Sequence, residues 1–401
     1  VARVTIPDLS AEVPRGRTPA QGRAVSKAAE LLSEAARPAI VAGSGVHLAG
    51  AWDELRELAE RSGIPVATTI KGKGAIAETH PLSLGVVGAN GARTYANEWL
   101  AGADAVLFVG TRANSTDTNG FTSPPRDGPQ IMQIDIDTVR TGRNYPDSHD
   151  LVGDAKATLD ALTEHVRDQP ERAHAFGEEI AGKREAWRQA KVVPIHELPE
   201  GLLDPRDVIL RLQALLPPET IVIAEPGTPT PNISAFWETP TAGRTVIDPR
   251  GHGPMGYVLP AAFGVKVSAP DRPVVGLTGD GSFAMACGEL ETIARYGLPI
   301  LYLQFTNNSL GWIKMLQHLY MDGRYFSVDP GPIDYAGVAR AMGVEGAHVR
   351  SMDDLERLLV DWIANPRPLY VDVPVPDQIA LTPPVAPWQA ALAGKADRPV
   401  Y

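Results

Sequence analysis

Two short segments of this chain combine side chains able to hold a metal with backbone that an anion can approach. They are Thr278-Gly279-Asp280-Gly281-Ser282 and Thr306-Asn307-Asn308-Ser309. A carboxylate and an amide oxygen are hard donors of the kind Mg²⁺ takes; backbone carbonyls, water and phosphate oxygens complete such a site. Gly279 and Gly281 let an anion come close to the main chain. The Gly281 and Ser282 amides lead toward a helix N-terminus, where free N–H groups favour phosphate. Taken singly, Gly-Asp-Gly reads as a turn and Asn-Asn as a loop. Their spacing is what suggests a joint role.

The intervening pattern is one strand–helix–strand unit. A strand over 273–277 runs into the first segment, a helix covers about 285–295, and a strand over 300–305 ends at the second. Asp280 and Asn307 therefore fall at the C-terminal ends of parallel strands, the edge at which open α/β sheets bind ligands. A right-handed crossover makes those strands neighbours or near neighbours. Upstream, Asp204-Pro205 reads as an N-cap with Pro at the first helical position, opening a helix to about 216. A strand over 220–224, a turn-forming run over 225–231, a Gly-rich segment over 250–256 and a helix over 259–268 follow.

The first half of the chain alternates in the same way. Helices are expected over 22–36, 52–62, 93–100 and 155–166, and strands over 38–42, 64–69, 105–110 and 130–134. The fold class read from this is α/β, with two doubly wound parallel-sheet domains joined by a linker. The expected boundaries are 21–168 and 201–385, with a linker over 169–200 and a tail over 386–401 that folds over the site or stays mobile. Residues 1–20 read as a strand stopped by Pro7 and a linker; the strand is either the last of a preceding unit or an edge strand of the next. Gly43-Ser44-Gly45 follows a strand, but Leu48 stands where a dinucleotide fingerprint needs its third Gly, so a tight turn is the simpler reading than NAD binding.

Composition narrows the function. The chain has 401 residues, 44% hydrophobic and 21% charged, and a net charge of -11. The negative balance argues against a nucleic-acid backbone footprint but leaves room for small anionic cofactors. No apolar run reaches the roughly 18 residues a membrane span needs, and no secretory leader is seen. The single cysteine, Cys287, permits no internal disulfide and fits a reducing, cytoplasmic setting.

Gly279-Asp280-Gly281 followed by Asn307 at the next strand end resembles the thiamin diphosphate signature, and the chain is similar to the acetolactate synthase and pyruvate oxidase family. Residues 65–74 with His80-Pro81-Leu82-Ser83-Leu84-Gly85, and Gln133-Ile134-Asp135-Ile136-Asp137 with Val152-Gly153-Asp154-Ala155, resemble its central domain. Phe305-Thr306-Asn307 and Gly311-Trp312-Ile313-Lys314 resemble the pyruvate oxidase form of the second half-signature. The resemblance implies thiamin diphosphate and Mg²⁺ as cofactors, with FAD a further option, and a small-molecule 2-oxo acid as substrate. It implies that Asp280, Asn307 and the Ser309 carbonyl hold the metal. Gly279, Gly281, Ser282, Leu310 and Gly311, and more weakly Thr228 and Thr230, would lie at the diphosphate. Gly253-Pro254-Met255-Gly256 matches the segment that receives the aminopyrimidine, with the Met255 side chain bending the cofactor. His252 is a candidate acid or base near substrate, or a surface histidine. Trp312, Lys314 and Gln317 are candidate pocket residues.

The family's pyrimidine-binding domain, with its activating glutamate, has no counterpart in these residues. The expectation is therefore a decarboxylase or carboligase large subunit, or a fragment of one. It would be active with a separate pyrimidine-domain chain, in a homo- or hetero-oligomer, without nucleic acid or membrane. The alternatives are an FAD-containing oxidase and a non-catalytic thiamin diphosphate-binding scaffold.

Overall fold

The computed structural model describes residues 16–192 and 198–395. The strand expected over 1–6 and the end of the tail lie outside the described residues. Two six-stranded sheets, parallel throughout, carry the architecture. The first contains β1 (Pro38–Ala42), β2 (Val66–Thr68), β3 (Ser83–Val86), β4 (Ala105–Val109), β5 (Gln130–Asp135) and β6 (His149–Val152), in the order β3-β2-β1-β4-β5-β6. The second contains β7 (Ile221–Ala224), β8 (Val246–Ile247), β9 (Val274–Gly279), β10 (Ile300–Thr306), β11 (Glu345–His348) and β12 (Leu369–Pro374), in the order β11-β12-β10-β9-β7-β8.

Strand β1 explains why these sheets read as unbroken apolar runs. All five of its residues are buried. Ile40 and Ala42 pack with Leu55, Leu58 and Leu159 on one face. Ala39 and Val41 pack with Tyr95, Trp99 and Phe108 on the other. Both faces are covered by helices, so neither tolerates a polar alternation. Strand β10 repeats this with Leu301, Leu303 and Phe305 on one side and Ile300 and Tyr302 on the other.

Strand order fixes where the crevices form. The chain leaves β1 in one direction and returns to β4 on its other side; it likewise leaves β7 for β8 and returns to β9. Each reversal opens a crevice at the C-terminal ends of the flanking strands. Asp280 lies directly at the second reversal.

Several local expectations need correction. The crossover between β9 and β10 holds two helices, Asp280–Ala286 and Glu289–Tyr296, instead of one. Asp280 itself opens the first, because its carboxylate accepts the Gly281 N–H at 2.8 Å. The run over 225–231 is not all turn. A helix begins at Pro229 (Pro229–Phe236), with Pro in its first turn, where no N–H is required. Within the stretch read as a linker, residues Pro170–Val192 form a helix docked edge-on to Trp99 through Phe176 and stacked on Phe236 through Trp187.

The two sheets are joined by a buried seam. Gly243 N donates to Gly74 O, and Glu78 N to Thr239 O, both at 2.8 Å. Lys73 and Glu78 form a fully buried ion pair at 2.7 Å, with Arg93 3.5 Å from the same carboxylate. Breaking such a buried pair costs roughly 3–5 kcal/mol, because one uncompensated charge is left inside.

Candidate active site

Asp280 and Asn307 converge because β9 and β10 are direct neighbours, with Gly279 paired to Phe305. The Asp280 carboxylate spans the gap, accepting Gly281 N through Oδ1 and Asn307 N through Oδ2 at 3.1 Å. Asn307 Oδ1 then accepts Ser309 N at 3.1 Å. The tight turn between them needs a left-handed residue, and Asn308 supplies it at φ 52°. Burial pushes the Asp280 carboxyl upward, opposed by the backbone N–H groups of Gly281 and Asn307. A cation at this carboxylate would remove that burial penalty.

The layer beneath is polar and satisfied. Thr306 turns inward, donating to Asp372, and accepts Gln304 Nε2 at 2.7 Å; the Tyr370 hydroxyl donates to Gln304. This network fixes the end of β10, from which Asn307 projects.

A cavity of about 440 Å³ opens above these strand ends, between the two domains. Its lower wall holds Gly279, Asp280, Gly281, Ser282, Asn307, Ser309, Leu310, Gly311 and Trp312. One side holds Thr228, Thr230, His252, Gly253 and Met255; the central domain contributes Lys71, Asn90, Arg112 and Asp117. Thus all the residues expected at the cofactor line one space. Gly253 and Gly256 adopt φ 65° and 78°, which turns the segment so that the partly exposed Met255 faces Gly281. A Cβ on Gly281 would lie 2.9 Å from Met255 Cε and 2.5 Å from Leu310 Cδ2.

Some residues behave otherwise than expected. Lys314 pairs with Asp329 at 2.8 Å and Asp377 at 3.0 Å, and Gln317 bonds both backbone groups of Phe326, so neither lines the cavity. His252 lines the cavity but is exposed. Trp388 of the tail packs at a steep angle on Trp312 and against Met315, so the described part of the tail buttresses the helix Gly311–Tyr320.

The hydroxyl of Thr230 is already engaged, 2.8 Å from both the Glu225 carbonyl and Asp248 Oδ2. Burial raises the Asp248 carboxyl to about 7, and its Oδ1 has no partner. The single Thr230 proton cannot serve two acceptors; a protonated Asp248 donates to Thr230, freeing that proton for the carbonyl.

Sequence reasoning missed Glu225, Asp248, Gln378 and the central-domain wall. Glu225 follows β7 as Asp280 follows β9, and its carboxylate accepts Tyr257 N at 3.1 Å and Val258 N at 3.0 Å. It thereby caps the helix Val258–Ser268 and anchors the Met255 segment. The strand-end rule that found Asp280 points to Glu225 as well. Asp248 and Gln378 carry no comparable signal.

Residues 25–162 match the thiamine pyrophosphate enzyme central domain, and residues 227–373 match the C-terminal TPP-binding domain of the same enzymes. The chain belongs to the thiamine pyrophosphate enzyme family. It is 32% identical over 371 residues to a probable acetolactate synthase large subunit of Methanococcus aeolicus, covering 90% of this chain and 61% of that protein. It is 34% identical over 353 residues to a sulfoacetaldehyde acetyltransferase of Roseovarius nubinhibens, covering 83% and 58%. It is 32% identical over 378 residues to an acetolactate synthase of Arthrospira platensis, covering 91% and 63%. The chain thus spans about three fifths of the length of the curated relatives it matches. The family's cofactor, thiamine pyrophosphate, is thiamin diphosphate by its other name.

The residues present fit that cofactor. The donors are hard oxygens, and Gly311 lets the Asn307 amide lie close to it, since a Cβ there would come within 2.9 Å of Asn307 Nδ2. No group of three or more His, Cys, Asp or Glu side chains suited to a metal occurs among the described residues. A cation here would draw on the Asn307 amide, backbone and phosphate oxygens as well as Asp280. No helix among the described residues is long and apolar enough to cross a membrane.

Proposed function

We propose that this chain forms the central and diphosphate-binding part of a thiamin diphosphate- and Mg²⁺-dependent 2-oxo acid decarboxylase or carboligase. The observation that carries the reading is the convergence of Asp280 and Asn307 on neighbouring strands, across a cavity from Gly253 and Met255. The domain boundaries 21–168 and 201–385 are part of the same proposal.

Bound thiamin diphosphate supplies the electron sink for cleaving the bond beside a 2-oxo acid carbonyl. Asp280, Asn307 and the Ser309 carbonyl would hold Mg²⁺ at the diphosphate. The Gly253 carbonyl and Met255 amide would hold the pyrimidine, with the Met255 side chain beneath the ring. Trp312 and Leu310 place apolar surface on the cavity lining. His252 is the proton-carrying side chain nearest the pyrimidine segment in sequence.

No acidic side chain among the described residues is assigned the task of activating the pyrimidine. We therefore propose that a pyrimidine-binding unit, in a partner chain, completes the site, and that the assembly works in the cytoplasm. Relatives named acetolactate synthase large subunits are in keeping with assembly alongside a further subunit. Lys71 and Arg112, which make no ion pair among the described residues, line the cavity from the central domain. Two cations facing the cavity, suited to further phosphates, support a second reading with FAD bound beside thiamin diphosphate.

Native mass spectrometry of the purified chain with thiamin diphosphate and Mg²⁺ tests the proposal. The expected result is a retained cofactor mass, together with a second polypeptide when the chain is isolated from its source. Visible absorbance of a bound flavin would mark the FAD reading. No cofactor retained at any concentration, with or without a second polypeptide, would overturn the assignment.

A further inference from the structure

Gln378 stands just beyond β12 and is 2% exposed. Its Nε2 donates to Thr228 Oγ1 at 2.6 Å, but its Oε1 is shut off from solvent without any partner. Buried amide oxygens are almost always satisfied, so an orphan in a cavity wall points to an absent donor. The same amide touches the loop after β10. A Cβ on Gly311 would lie 3.4 Å from Gln378 Cδ and 2.9 Å from Asn307 Nδ2. Gln378, Asn307, Asp280 and Thr228 all line the one cavity.

The segment carrying Gln378 is held firmly. Asp377 pairs with Lys314 at 3.0 Å and accepts Ile379 N at 2.9 Å. Farther along, Val385 and Trp388 pack on Met315. The Gln378 side chain is therefore placed by the fold, its Nε2 on Thr228 and its Cγ and Cδ beside Gly311.

We propose that Gln378 is a positioning residue of the metal–diphosphate end, its amide oxygen accepting a hydrogen bond from a water on the Mg²⁺ held by Asp280 and Asn307. This rests on the function proposed above. A metal-bound water is strongly polarised and donates well. Acceptors behind the ligands fix its direction and raise metal affinity. The Nε2 bond to Thr228 holds the amide in that orientation.

The test is a Mg²⁺ titration of the full chain at saturating thiamin diphosphate, followed by tryptophan fluorescence and calorimetry. Gln378→Leu is expected to raise the half-saturating Mg²⁺ concentration ~10-fold or more, the usual cost of losing such a partner. Gln378→Glu keeps an acceptor oxygen, and the Thr228 hydroxyl can donate to its other oxygen. It is expected to stay within about 3-fold of the unaltered chain, below the range such losses span. If the leucine variant fails to fold, Gln378→Met takes its place. A leucine variant indistinguishable from the unaltered chain, or a glutamate variant as weak as leucine, overturns the proposal. If the unaltered chain binds no thiamin diphosphate at any Mg²⁺ concentration, the functional reading falls, and this proposal with it.

Discussion

The two sheets reverse strand order in the same manner, yet their crevices are used in opposite ways. At the first reversal, glycines bring main chains together. A Cβ on Gly43 would lie 2.5 Å from Gly110 O, and one on Gly45 2.5 Å from Gly110 Cα. At the second, the strand ends carry Glu225, Asp280 and Asn307, and Gly281 faces the movable tips of Met255 and Leu310. A glycine at a strand end thus serves close packing when its neighbour is backbone. It makes room for a ligand when its neighbour is a movable side chain. The sheet reversal provides the crevice; the residues after each strand decide whether it is filled by protein or left open.

The largest test of this contrast is Asp280→Ala. Losing a residue behind the ligands costs 10–100-fold in metal affinity, so losing a ligand itself should cost ~100-fold or more in Mg²⁺-dependent thiamin diphosphate binding. Equilibrium titration of the variant measures it; unchanged binding would place the metal elsewhere.

The glycines give a sharper comparison. Gly45→Ala drives a Cβ into backbone that cannot swing aside and should destabilise the fold by about 1–3 kcal/mol. Gly281→Ala meets only side-chain ends and should cost less than ~1 kcal/mol in stability while weakening cofactor binding. Urea unfolding of both, paired with binding titrations, reads the difference. Equal stability losses would erase the distinction.

A smaller effect concerns acidity at the open crevice. The folded Asp248 carboxyl sits at about 7, against roughly 3.9 in an unfolded chain. Between those values the folded chain keeps a proton that the unfolded chain releases, so stability falls as pH rises through the window. Asp248→Asn should flatten that slope and stabilise the chain at pH 8 by on the order of 1–2 kcal/mol. Thermal unfolding at several pH values checks this; an unaltered slope would mean Asp248 titrates normally.

Some strands buried on both faces were legible, but β3 and β12, equally buried, were not expected from the sequence. β1 falls on the expected residues because Pro38–Ala42 is an apolar run bounded by turn-formers. Strands β6 and β8 were not found either. β6 alternates in exposure and β8 has two residues, so neither carries a periodic signal. The helix at Pro229 was hidden because three prolines in 225–231 resemble a turn, although Pro is tolerated where a helix begins. Lys314 and Gln317 follow the Asn307 loop in sequence, but the helix carrying them turns both toward the 321–333 segment.

Asp280 and Asn307 could be proposed as partners before any coordinates because both are local. Each is set by a strand end, and a right-handed crossover leaves few places for the second strand. The chemistry of a hard-oxygen, anion-accepting site follows from their residue types alone. Gln378 lies 150 residues from Thr228, and Lys71 reaches the cavity only through the seam built on Gly74, Glu78 and Thr239. No periodicity links such positions. Which side chains meet at a crevice between two domains depends on how two separately formed sheets dock, and that is settled by burial and pairing across the whole molecule.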